Sequence, residues 1–362
     1  MKILLVSNMY PSEMYPHYGV FVQNAEKILC KLPNTQVDKV VMCKHYIKIA
    51  KLFDYLRFYT QILCKGIFGG YDVIYGHFLS HIAIPLRIVK FFRPKCKLVL
   101  NAHGNDVVAD VPGDRKWIRL SRMLIPCADH IIVPSEYFRQ VMKREFGVPA
   151  EKLFVYPSGG VDREVFYPRD REEHLNHMLM DTKKRYIGYV SRVEADKGWD
   201  TFLEMVCFLA DRKDLGFIFV GAGAEEPALR KMLVERKLTT TVTTFDLQPQ
   251  DEVAKLFSVM EIFCFPTRRK SESLGLVGLE AMACGTTVVA SNAYGPSSYM
   301  RDRENGFTFR AGDAEDLTRA VNRALYMTDI EKERVRAGMA KTVAAYSREN
   351  LDQKLLDFFA NL

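Results

Sequence analysis

Short apolar runs rich in β-branched residues recur along the first half of the chain, separated by longer stretches whose apolar positions return every three or four residues. KILLVSN, DKVVMC, DVIYGH, KLVLNAHG and DHIIVPS predict strands, and VFVQNAEKILCKL predicts an amphipathic helix. This alternation predicts a parallel sheet covered by helices on both faces. The rhythm breaks at YPSGGVDREVFYPRDREEHLNHMLMDTKK, where turn residues and charges replace periodicity. It resumes with the strand runs RYIGYVSR, LGFIFVGAG, TTVTTF, EIFCFPT and TTVVASN, separated by helical stretches such as WDTFLEMVCFLADR and PQDEVAKLFSVM. The expected architecture is α/β, with two Rossmann-like doubly wound domains over residues 1–168 and 185–362, joined by a linker over 169–184. Ligands are expected at the carboxyl ends of the strands and in a central cleft that the domains face. The last helix, about 348–362, has the length to pack back on the N-terminal domain.

Composition narrows the class. At 362 residues the chain exceeds the usual single core, and 48% hydrophobic with 26% charged residues is the balance of a globular protein. No apolar run reaches 18 residues, and the apolar part of MKILLVSNMY is short for a secretory signal, so a cytoplasmic protein is expected. The eight cysteines form no C-x-x-C pair and read as reduced, buried thiols. HFLSH sets His77 and His81 one helical turn apart without the glutamate of H-E-x-x-H, which predicts a structural pair and no zinc site. VGAGAEE lacks G-x-G-x-x-G, so a tight strand-to-helix turn is expected there and no nicotinamide cofactor. The net charge of +7 is uneven: residues 1–170 hold 24 Lys and Arg against 15 Asp and Glu, and the remainder 27 against 29. An ordinary solvated surface is the favoured account of that excess, with an anionic partner such as a membrane surface or a phosphorylated substrate as the alternative.

One stretch concentrates chemistry. RRKSESLGLVGLEAMACG holds Glu272 and Glu280 eight positions apart. A glycosidase pair would stand roughly 5–9.5 Å apart across one bond. Eight helical residues would separate the α-carbons by about 12 Å and turn them by about 80°. The alternative is a helix starting near Leu274, capped by Ser271 or Ser273 and stopped at Gly285, with Glu272 in the preceding loop and Glu280 within the helix. The free N–H groups of that helix start would suit a phosphate. Three further loops follow strands: Arg192 and Lys197 in SRVEADKG, Gly19 in NMYPSEMYPHYGV, and His103 with Gly104 in NAHGND. Arg and Lys five residues apart can reach adjacent phosphates.

Taken together, Gly19, HGND, SEYFRQVMKREFGVPAEKLFVYPSGGVD, SRVEADKG, FVGAG and the E-x7-E pair resemble glycosyltransferase family 4 over nearly the whole chain. The resemblance implies the GT-B fold and retaining transfer from a nucleotide-sugar of the kind used in bacterial surface-polysaccharide synthesis. It implies that Arg192 and Lys197 hold the diphosphate and stabilise the leaving group, that Glu280 takes ribose hydroxyls, and that Glu272 contacts the transferred sugar. The Ser273, Leu274 and Gly275 amides would meet sugar hydroxyls or diphosphate, Gly19 would admit the diphosphate, and His103 would face the sugar. Catalytic roles thus fall to Glu272, His103, Arg192 and Lys197. No D-x-D occurs, so neither metal nor other cofactor is expected. Ser158-Gly159 stands where many relatives have Asn-Gly, and Tyr18-Gly19 where many have two glycines.

The acceptor is expected to be a glycan, lipid-linked, in capsule or lipopolysaccharide synthesis, and no nucleic-acid partner is expected. Along residues 44–67, Ile49, Leu52, Leu56, Tyr59, Leu63 and Ile67 share one helical face, with Lys44, Lys48, Lys51 and Lys65 roughly opposite. That is a domain helix with a wet basic side, or a peripheral contact with the inner face of the cell membrane. Two competing functions are a nucleotide-sugar epimerase of the same fold and a non-catalytic assembly protein.

Overall fold

The computed structural model describes residues 1–16, 18–44 and 48–362, with the side chains of 48–50 outside the description. The chain divides into two compact units, the first being Met1–Gly159 with Leu351–Leu362 and the second Gly160–Asn350.

In the first unit the elements run β1 (Lys2–Ser7), α1 (Val20–Leu29), β2 (Gln36–Val41), α2 (Lys48–Phe68), β3 (Val73–His77), α3 (Leu79–Phe92), β4 (Lys97–Asn101), α4 (Arg115–Leu124), β5 (His130–Val133), α5 (Glu136–Phe146) and β6 (Leu153–Val155). All strand pairings are parallel, in the order β2-β1-β3-β4-β5-β6. Because β2 and β3 flank β1 on opposite sides, the connections reverse direction at β1 and open a crevice at its carboxyl end. Register sets Ser7 beside His77 and His77 beside Asn101 at that end. Ile3, Leu4, Leu5 and Val6 are all fully buried, as a strand covered on both faces requires.

The second unit continues with α6 (Arg171–His177), β7 (Arg185–Val190), α7 (Trp199–Leu209), β8 (Leu215–Val220), α8 (Glu226–Glu235), β9 (Val242–Phe245), α9 (Gln250–Val259), β10 (Met260–Phe265), α10 (Leu276–Ala283), β11 (Thr287–Ser291), β12 (Phe307–Phe309), α11 (Ala314–Leu325) and α12 (Asp329–Ala345). The helix α13 (Arg348–Ala360) begins in this unit and ends in the first, where Phe358 stacks on Phe154 with ring centroids 4.4 Å apart. Strand order is β12-β11-β10-β7-β8-β9, which reverses at β7. Separate apolar clusters are built around Phe263 and Leu279 and around Phe202 and Phe217.

Three expectations need correction. The linker expected over 169–184 belongs to the second unit: α6 lies inside it, Asp170 caps that helix by accepting from the Glu173 N–H, and Leu175 is fully buried against the unit's core. The helix read over 44–67 is α2, but Phe58, Ile62 and Gly66 form its buried line. Leu52 and Leu56 are exposed, while Lys48 and Ile49 lie outside the described side chains. Among the cysteines, Cys96, Cys264 and Cys284 are buried, whereas Cys30 and Cys64 face solvent.

Candidate active site

The switch point of the second sheet is built by the loops after β7 and β10. The first carries Arg192 and Lys197; the second carries Glu272. Lys197 Nζ donates to Glu272 Oε2 at 2.6 Å, and Thr267 Oγ1 donates to the same oxygen at 3.2 Å. Only about a tenth of either the Lys197 or the Glu272 side chain is exposed. Glycine is needed at 198 for this junction: its φ is +76°, and an added Cβ would lie 2.0 Å from the Pro266 carbonyl oxygen.

Further ion pairs stitch the two loops together. Glu194 receives Arg192 at 2.7 Å through one oxygen and Arg269 at 2.8 Å through the other. Arg268 pairs with Asp200 at 2.9 Å and donates its backbone N–H to the Asp196 carbonyl at 2.7 Å. Unlike Arg192, neither Glu194 nor Arg268 and Arg269 stands out in the sequence. Their partners lie some 70 residues away, and local pattern carries no signal for that.

A cavity of about 340 Å³ opens at this junction. Arg192, Lys197, Glu272, Gly275 and Glu280 all line it, with Val220, Leu247 and Val253 contributing apolar wall. The helix here, α10, begins at Leu276, two residues later than expected, and its N-cap is Gly275 in the left-handed region with no side-chain cap. Neither Ser271 nor Ser273 therefore caps it. Leu276 and Val277, the first helical residues, line the cavity in place of Ser273 and Leu274. Amides of a first helical turn have no intrahelical acceptor, so this wall offers donors and the positive end of the helix dipole. As expected, Gly285 follows the helix end with φ +85°. Burial pushes the Glu280 carboxyl up to about 7.

His103 and Gly19 belong to the first unit. Gly19 is the N-cap of α1 with φ +78°, and a Cβ there would strike the Met9–Tyr10 backbone at 2.7–2.9 Å. The crossing of its own loop thus already requires glycine. Two residues on, Phe21 packs on His103 with ring centroids 4.5 Å apart. Asp106 holds the HGND turn by accepting the His103 and Gly104 amides through Oδ1 and the Leu79 amide through Oδ2. Desolvation lowers His103 to about 3, so its ring is neutral near pH 7.

His77 and His81 are not a helical pair. His77 ends β3 and Phe78 takes φ +59°, which turns the chain before α3. His77 then meets His103, while His81 Nδ1 lies 2.9 Å from the Tyr55 hydroxyl. Among the described residues, no group of three or more His, Cys, Asp or Glu is placed to hold a metal ion.

Two doubly wound units, each with its candidate residues in loops beyond the carboxyl ends of its strands, define the GT-B fold. Solved structures agree in fold. Sucrose-phosphate synthase from Thermosynechococcus elongatus has a TM-score of 0.79 at 19% identity, covering 100% of this chain and 98% of that one. Anabaena HepE in complex with UDP has a TM-score of 0.77 at 17% identity, covering all of both chains. Residues 28–165 match the family model described as Glycosyltransferase Family 4, and residues 170–341 the one described as Glycosyl transferases group 1. Together the two matches span most of the chain and make it similar to the glycosyltransferases of family 4 and group 1. It is 28% identical over 304 residues to a D-inositol 3-phosphate glycosyltransferase of Mycobacterium bovis, covering 80% of this chain and 61% of that relative's length.

Proposed function

We propose that the protein moves one sugar from a UDP- or GDP-sugar to a glycan acceptor, with retention at the anomeric carbon and without a metal ion. The observation that carries this reading is the second unit's cavity, where two cations, two carboxylates and a helix N-terminus converge on a space with one apolar wall. Val220, Leu247 and Val253 suit a nucleobase, and Glu280 accepts hydrogen bonds from ribose hydroxyls. Arg192, Lys197 and the first-turn amides of α10 meet the diphosphate, where their preorganised positive charge stabilises the negative charge that builds as it leaves. Glu272 contacts the transferred sugar. In the first unit, His103 is assigned to that sugar and Gly19 to the diphosphate.

In the reaction, the bond between the anomeric carbon and the diphosphate oxygen breaks while the acceptor oxygen bonds to that carbon on the same face. The acceptor's proton passes to the departing diphosphate. HepE has been solved with UDP-glucose, which supports a UDP-sugar donor by likeness of fold.

A lipid-linked acceptor in cell-envelope polysaccharide synthesis, met at the inner face of the membrane, is supported by the surface of the first unit. Helix α3 packs between α2 and α4. Their outer faces expose Leu52, Phe53, Leu56, Ile88, Trp117 and Met123. Lys51, Arg57, Arg115, Lys116, Arg119 and Arg122 are exposed on the same helices. Apolar side chains ringed by cations suit an anionic lipid surface. No helix among the described residues is long and apolar enough to cross a membrane.

The test is a panel of nucleotide sugars, with nucleotide release followed with and without acceptor, for the native chain and for Lys197→Ala and Glu272→Ala. Acceptor-dependent release that both substitutions abolish is the expected result. Unchanged turnover in both variants would sink the site assignment, and interconversion of UDP-sugars without acceptor would favour an epimerase.

A further inference from the structure

The carboxyl ends of β3 and β4 hold two imidazoles in contact. His77 is fully buried, and its Nδ1 lies 3.0 Å from His103 Nε2. The opposite nitrogen of His77, Nε2, has no hydrogen-bond partner among the described residues. On the far side of His103, Nδ1 lies 3.4 Å from Ser158 Oγ. Phe21 and Phe78 pack on the His103 ring with centroids 4.5 and 4.7 Å away, which keeps its surroundings apolar.

One proton occupies the contact between the two rings, and two arrangements are possible. If His103 donates from Nε2, then His77 accepts at Nδ1 and must carry its own proton on Nε2. That buries an N–H with no acceptor, so the donor loses its water partner and gains nothing in exchange. If His77 donates from Nδ1, its bare Nε2 is an unused lone pair, which proteins tolerate better than an orphaned N–H. Protonating either ring to escape the choice is opposed by burial, which lowers both.

We propose that His77 is a positioning residue that fixes His103 in the neutral Nδ1–H form, with Nε2 occupied as an acceptor. His103 then presents a hydrogen-bond donor at Nδ1, beside Ser158, and has no lone pair there with which to take a proton. The catalytic consequence rests on the reading that His103 faces the donor sugar: the ring would steady a substrate oxygen as a neutral dipole and would not act as a base.

The tautomer can be read without activity. On the full chain labelled with 15N-histidine, long-range 1H–15N correlation, assigned by difference from His103→Asn, should show Nδ1 of His103 as the protonated nitrogen and Nε2 as the bare one. The reverse pattern overturns the proposal. His77→Asn keeps an N–H donor at the place of Nδ1 and should preserve both the spectrum and most of kcat. His77→Leu should let His103 populate both tautomers and lower kcat about 10-fold, with the KM for donor little changed. A His103 spectrum unaltered in His77→Leu would also overturn the proposal. If His77→Leu does not fold, the native spectrum still decides. Should the tautomer be as stated while His103→Ala turns over normally, His77's positioning role stands and the catalytic reading of His103 falls.

Discussion

Lys197 Nζ and Glu272 Oε2, from residues 75 positions apart, meet at 2.6 Å on the wall of the second unit's cavity. Each is the other's counter-charge in a place mostly closed to water. Removing one therefore leaves the other mostly buried without its counter-charge, which costs stability as well as chemistry.

Lys197→Ala is expected to lower kcat about 100-fold or more, in line with losing a preorganised group that stabilises leaving-group charge. The double variant Lys197→Ala/Glu272→Ala should be little slower than the worse single one, because the pair acts as a unit. Urea denaturation should give a positive coupling of about 1 kcal/mol between them. Strict additivity in both rate and stability would contradict the pairing.

Glu280 supplies a pH dependence with a definite sign. Its carboxyl is raised from 4.5 to about 7 by burial, so the stability of the neutral form is complete below about pH 4.5 and is lost as pH rises through 7. Glu280→Gln, which cannot ionise, should match the native chain near pH 5 and exceed it by on the order of 1–3 kcal/mol at pH 8.5 without nucleotide. Thermal melts across that range would check it, and a gap independent of pH would refute it. The same variant should bind nucleotide more weakly.

Gly198→Ala should lower the apparent Tm by about 5 °C or more, since a side chain at positive φ would press on the Pro266 carbonyl. Donor KM should rise with it, because the strain falls on the junction that brings Lys197 to Glu272. A variant with native Tm and KM would mean the loops relax freely.

Leu52→Ser with Phe53→Ser and Leu56→Ser should reduce sedimentation with anionic vesicles more than 10-fold while leaving the fold intact, because each loses about 1.5–3 kcal/mol of apolar transfer at an exposed position. Raising salt should weaken the native interaction too. Native partitioning by the triple variant would remove the membrane reading and leave α2 an ordinary surface helix.

Much of the fold was legible because a strand buried on both faces leaves a continuous apolar run. Runs such as KILLVSN and LGFIFVGAG became β1 and β8. The edge strands β6 and β12, three residues each, are too short to leave such a run. Helix α6 was hidden because Leu175 alone among its residues is fully buried, so its sequence looks like a solvated tether. The face of α2 was half legible: Tyr59, Leu63 and Ile67 do pack on the core, but hydrophobicity alone could not tell that Leu52 and Leu56 stay in solvent. At the site, Arg192, Lys197, Glu272 and Glu280 could be named from motifs. Their pairing could not, since it depends on β7 and β10 becoming neighbours. The partnership of His77 with His103 likewise depends on β3 lying beside β4.

Glu194 is the feature with the widest reach. It already pairs with Arg192, as Glu272 pairs with Lys197, so both cations that the proposed function assigns to a diphosphate carry counter-charges of their own. An incoming anion must displace or share those carboxylates to gain the same contacts. On the proposed reading a diphosphate would engage both cations and the α10 amides at once, where a single phosphate or chloride would reach fewer of them. On that reading the carboxylates would set a threshold, making the site responsive to the charge density of its ligand rather than to negative charge as such.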